Sequence, residues 1–156
     1  MQGDEDVIEL LNDVLTGELT AINQYFIDTK MQANWGYDRL AARVRQESME
    51  EMHDAEVLID RILYLGGVPN LQRLGAIRIG ETVPEQLTLA LEQETAAISR
   101  LNEGIALCTD RRDEGSRQLL ASILEGEEEH ADWLETQLSL LATLGEPAYL
   151  AQQLRE

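Results

Sequence analysis

The chain has 156 residues, 44% apolar and 4% aromatic, room for one domain with a substantial core, expected over 1–156, but not for two. A formal net charge of −18 with a single lysine, Lys30, excludes nucleic-acid binding through a phosphate-neutralising patch and suits a protein that attracts cations. A lone cysteine, Cys108, excludes an intrachain disulfide and a cysteine-based zinc site. The acidic opening MQGDEDVIEL lacks an apolar signal core, and no run reaches the ~18 apolar residues of a membrane span, so the expected location is the cytoplasm.

Leu, Ala, Ile, Glu and Gln dominate, and four long segments repeat apolar residues at alternating steps of three and four, the period of packed helices. The first places Ile8, Leu11, Leu15, Glu18, Ile22 and Tyr25 on one face and ends in NWGYD at Gly36. The second runs Leu40, Val44, Glu47, Glu51, Asp54, Leu58, Ile62 and Leu65 and ends at Gly66-Gly67. Residues 66–82 show no helical period and form a long connection. The third face is Leu87, Leu91, Glu94, Ile98, Leu101, Ile105 and Cys108. Residues 110–114 separate it from the fourth: Leu120, Leu124, Glu127, Ala131, Leu134, Leu138 and Leu141. Gly145-Glu146-Pro147 ends the fourth, and Pro147 is placed to begin a short last helix, 147–155. Short turns make the first and second helices antiparallel neighbours, and likewise the third and fourth. The long link can run the length of a bundle, so the spacing predicts an all-α four-helix bundle with one long crossover and a short C-terminal helix.

Each apolar face carries a glutamate near its middle: Glu18, Glu51, Glu94 and Glu127. A buried carboxylate is costly unless it is paired or bound to metal. For a single glutamate, a hydrogen bond or salt bridge at the core edge is the ordinary explanation. Here the four are regularly placed. Glu18 and Glu51 lie 33 residues apart, as do Glu94 and Glu127, and an offset of 76 carries the first pair onto the second and Asp54 onto His130. Two helices thus supply a lone glutamate each, and two supply Glu-x-x-His130 and Glu-x-x-Asp54. Residues three apart share a helical face, so both side chains of each pair can reach one central point. Hard carboxylates with an imidazole inside a bundle suit a carboxylate-bridged di-iron or di-manganese site.

Several stretches, MQGD, ELTAINQYF (18–26), NWG (34–36), ESMEEM (47–52), RILYLGGVPNLQRLG (61–75), IGE (79–81) and EEEHADWLETQL (127–138), make the chain resemble a bacterioferritin end to end. These are the haem-containing branch of the ferritins. The resemblance implies a ferritin-like bundle, a cage of twenty-four subunits, ferroxidase activity and storage of Fe(III) mineral in the cavity. The family's di-iron ligands fall on Glu18, Glu51, Glu94, Glu127 and His130, with Glu51 and Glu127 as bridges. The sixth falls on residue 54, where the family pattern has histidine and this chain has Asp54. The resemblance makes Met52 a haem ligand, two copies from a symmetric subunit pair clamping one haem b, with a ferredoxin-type donor for iron release. The ordinary alternative for Met52 is an interface packing residue.

The histidine stands next door, at His53. Adjacent helix positions differ by ~100°, so His53 is expected to point away from the site. Three readings stay open: Asp54 ligates as a shorter carboxylate, the site is half-occupied or inactive, or the helix distorts to bring His53 in. Tyr25 falls on the metal-facing side, where it can donate a hydrogen bond to a ligand, lose an electron to an oxidised centre, or serve as an ordinary core tyrosine. Trp35 and Trp133 read as packing residues, Cys108 as a small core residue, and Glu47 and Glu50 as iron-binding groups on the cavity side or, more ordinarily, as solvated carboxylates. Two functions follow: a ferroxidase storage protein, as a homo-oligomer, or a haem-carrying structural and electron-transfer subunit with an impaired site, co-assembled with an active one. A DNA-protecting mini-ferritin is disfavoured by the absence of a basic tail.

Overall fold

A computed structural model describes residues 1–155; Glu156, the last residue of the expected domain, lies outside the described residues. It consists of helices α1 (Glu5–Asn34), α2 (Asp38–Tyr64), α3 (Val83–Asp110), α4 (Glu114–Leu144) and a short α5 (Glu146–Ala151). No strand occurs among the described residues, and none of their helices is long and apolar enough to cross a membrane. The architecture is the expected four-helix bundle with one long crossover, between α2 and α3, and a short C-terminal helix.

The helix boundaries have local causes. The Asp4 carboxylate accepts from the backbone N–H groups of Asp6 and Val7, Thr82 accepts from Glu85 N–H, and Asp113 accepts from Ser116 N–H, so orphan donors at three N-termini are satisfied. Gly36 and Gly66 take φ of 92° and 80° after α1 and α2. The N–H groups that follow them, Tyr37 and Gly67, bond back to Gln32 and Ile62, which turns the chain sharply. The last helix is shorter than the expected 147–155. It begins at Glu146 and ends at Ala151, because Gln152 and Gln153 bond back three residues and Gln153 C=O accepts from Arg39 N–H on α2.

The core falls into two apolar clusters. One gathers Leu11, Leu15, Leu58, Ile62, Leu101, Cys108 and Leu120. The other gathers Tyr25, Leu40, Leu87, Leu134 and Tyr149, with Trp35 and Trp133 packed against it. On every long helix the central glutamate stands between a residue of the first cluster and one of the second: Glu18 between Leu15 and Ala21, Glu51 between Val44 and Ala55, Glu94 between Ala90 and Leu101, Glu127 between Ile123 and Leu134. A belt of carboxylates therefore divides the core.

The crossover is held by a second polar seam on α1. Asn12 bonds both Val68 C=O and Asn70 N–H. Thr16 accepts from Arg73, Thr20 from Gly75 N–H, and Gln24 from Arg78 N–H, while Gln32 bonds Gln86 at the start of α3. A four-residue step advances ~40° around a helix, so the seam winds about α1 as the crossover slants over it. These bonds satisfy backbone groups that lack a regular partner.

Candidate metal centre

Glu18, Glu51, Glu94, Glu127 and His130 are all at most 3% exposed, and Asp54 is half-buried. The helices deliver them to one place in two overlapping sets. Ligand atoms of Glu51, Glu94, Glu127 and His130 lie within 4.8 Å of one another, and so do those of Glu18, Glu51, Asp54 and Glu127. Glu51 and Glu127 belong to both. His53 is exposed and belongs to neither set, and α2 runs without interruption through residues 53 and 54. The helix does not distort to bring His53 inward.

The electrostatics of this cluster are those of anions forced together. Burial first, then the Glu94 charge, pushes the Glu51 carboxyl well above the usual range. Burial and hydrogen bonds shared with Glu94 and Glu51 push Glu127 up as well. Asp54 is raised to about 6, chiefly by burial. Glu94 is the exception. Burial acts to raise it, but a hydrogen bond with Glu127, the attraction of the adjacent His130 and the hydrogen bond from Tyr25 outweigh that and hold it below its ordinary value. Without cations, the cluster keeps protons to avoid uncompensated buried charge. Even so, Glu18 Oε2, Glu94 Oε2 and His130 Nδ1 are buried with no hydrogen-bond partner. Five carboxylates and an imidazole, converging and incompletely satisfied, form a donor set suited to divalent cations.

The two sides are supported differently. His130 Nδ1 lies 3.0 Å from Glu94 Oε1 and 3.5 Å from Glu47 Oε2. The Tyr25 hydroxyl donates to Glu94, and its ring meets the imidazole edge-on at 5.3 Å. Trp133 stacks on His130 at 6.1 Å, and the Arg43 guanidinium covers Trp133 at 4.6 Å while pairing with Glu47. Glu47 is therefore not the solvated carboxylate expected from its sequence. It is 4% exposed, and Arg43 and His130 compensate its charge. Its place on the same face as Val44 and Glu51 was the available signal. Glu50 is exposed, as expected. Asp54 has no comparable backing and faces a bay between α2 and α4.

Met52 is 53% exposed and lies with Met49, Phe26 and Arg45 in a surface groove between α1 and α2, not at the buried centre. Lys30, the chain's one lysine, lines the same groove.

A family model described as a ferritin-like domain matches residues 8–144. A bacterioferritin of Mycobacterium leprae is 54% identical over 152 residues, covering 97% of this chain and 96% of the relative. A bacterioferritin of Streptomyces coelicolor is 50% identical over 151 residues, with 97% and 90% covered, and one of Brucella melitensis is 46% identical over 149 residues, with 96% and 92% covered.

Proposed function

The chain belongs to the bacterioferritin family, and from that premise we propose that it stores iron, oxidising Fe(II) at the buried carboxylate centre and retaining the Fe(III) product. The observation that carries this reading is the overlap of the two ligand sets on Glu51 and Glu127. Those two carboxylates bridge the substrate ions, Glu94 and His130 close one position, and Glu18 and Asp54 close the other. As Fe(II) binds, the protons held by Glu51 and Glu127 leave, and the buried anions gain the cations they lack. Each of two Fe(II) then gives up one electron. O2 takes both with two protons and leaves as hydrogen peroxide. Peroxide can serve as oxidant in its turn. Tyr25 holds the orientation of Glu94 through its hydroxyl.

The storage form is a 24-subunit cage. Exposed Leu63, Tyr64, Val68, Leu71 and Leu74 at the end of α2 and on the crossover offer apolar surface for subunit contacts. Haem b fits the α1–α2 groove: the Met52 thioether is exposed in an apolar setting, with Arg45 and Lys30 available for propionates. One chain offers one Met52, so a symmetric pair of chains would hold the haem with one thioether from each. Bound there, haem supplies one-electron transfer, fed by a ferredoxin-type donor, for iron release. The whole chain acts as a single ferritin-like domain.

Asp54 favours one second reading, a haem-carrying structural and electron-transfer subunit with an impaired centre, co-assembled with an active subunit. Optical Fe(II) oxidation separates the two. The metal-free homopolymer should show a fast phase that saturates near about two Fe(II) per chain, absent in Glu127→Ala. A rate no faster than buffer would overturn the ferroxidase reading in favour of the second.

A further inference from the structure

We infer that the two metal positions are inequivalent: a retained one at His130 and an exchanging, oxygen-only one at Asp54 that loads and unloads through the bay between α2 and α4. This rests on the two-metal reading of the centre.

Three observations carry it. First, the donor sets differ. The His130 set contains an imidazole and the Asp54 set contains carboxylates alone. First-row divalent ions of the later series bind nitrogen-containing sets more tightly than oxygen-only ones. In the second set Glu18 Oε2 is buried without a hydrogen-bond partner, so that position is built to take a cation. Second, the supports differ. Trp133, Glu47, Arg43 and Tyr25 fix the imidazole and its neighbour Glu94, whereas Asp54 is half-buried and leans on no such shell. Such outer contacts are typically worth about 10–100-fold in metal affinity.

Third, access differs. A cleft of about 240 Å³ between α1, α3 and the crossover reaches Glu18, Glu51, Glu94 and Glu127. The bay on the opposite side is about 710 Å³ and reaches Asp54, Glu51 and Glu127. The bridging pair lines both spaces; Glu18 and Glu94 line only the cleft, His130 lines neither, and Asp54 alone of the remaining ligands lines the wider bay. Gly126 on α4 also lines the bay, and a Cβ there would meet nothing within 4 Å. A glycine in a helix interior normally lowers helix stability, and no packing contact accounts for this one. Its bare backbone leaves the bay open one residue from Glu127.

Anaerobic titration of the metal-free assembled protein with Co(II) alone, read by visible absorption and chelator competition, tests the inference. The natural chain should bind one tight equivalent per chain and a second at least about tenfold weaker. The second should also leave first when chelator is added. Asp54→Ala should remove only the second, and Asp54→His should bring it close to the first. Gly126→Leu should slow its departure severalfold while leaving both affinities in place. Two equivalents with equal affinity and equal exchange overturn the inference, as does an Asp54→Ala protein that loses the first equivalent. Failure to bind any Co(II) tightly, or binding unchanged by Glu127→Ala, overturns the two-metal reading itself.

Discussion

Helix α1 buries polar groups along two seams, and the chain treats them differently. Along Asn12, Thr16, Thr20, Gln24 and Gln32, side chains meet the crossover or the start of α3 with hydrogen bonds. Along the face that carries Glu18, they converge with acids from three other helices and leave buried oxygens and a ring nitrogen without partners. The first seam needs no ligand: its members bond the crossover and the start of α3, and only Gln32 Oε1 is left buried without a partner. The second is unfavourable on its own, because buried polar groups without partners cost ~1–3 kcal/mol each and charged ones more. A satisfied seam stabilises the fold, whereas an unsatisfied one marks where the fold bears a cost that a bound cation relieves.

Substitutions can break this contrast, and the largest effect falls at the centre. Glu127→Ala touches both ligand sets, so it should reduce Fe(II) oxidation by more than the ~10–100-fold that outer contacts are worth. The same change should not lower the thermal midpoint of the metal-free protein, because it removes a carboxylate from a crowded cluster. A metal-free protein that unfolds far earlier would mean that the acids stabilise one another.

Asp28 gives the next largest effect. It lies in the first seam, between Gln24 and Gln32, and is 3% exposed. Burial lifts its carboxyl to about 7, opposed only by a hydrogen bond from Gln24. The folded state therefore holds this proton more tightly than the unfolded chain, whose value is near 3.8. Stability tied to Asp28 is complete below the unfolded value and is lost as pH rises from about 4 to about 7. Asp28→Asn should match the natural chain at pH 4 and exceed it by ~2–4 kcal/mol at pH 8 in denaturant unfolding of metal-free protein. Iron oxidation should be unaffected. An equal gain at both pH values would refute the assignment.

The smallest effect comes from the satisfied seam itself. Asn12→Ala removes two bonds to the crossover, at Val68 and Asn70, and should cost ~1–3 kcal/mol of stability with no change in metal stoichiometry. Faster amide exchange confined to residues 66–82 would locate the loss.

The two seams were not equally legible in sequence. Glutamate on an apolar face is conspicuous, so Glu18, Glu51, Glu94 and Glu127 stand out, and the 76-residue offset pairs Asp54 with His130. The four long helices follow from their 3.6-residue period and from Gly36 and Gly66 at their ends. Asn12, Thr20 and Gln24 give no comparable signal, because their partners are backbone groups 54 to 58 residues away. Glu47 was misread for a related reason. Its partner Arg43 is one turn away, but His130 lies on another helix. The C-terminal helix stops early because Gln153 is tied to Arg39, a contact that local propensity does not carry.

Anomalous diffraction from crystals of the assembled protein grown with Co(II) tests the central claim most directly. The account predicts two peaks per chain, both bonded by Glu51 and Glu127, one closed by Glu94 and His130 and the other by Glu18 and Asp54. A map with no peak among the four helices, its metal confined to exposed carboxylates, would contradict it.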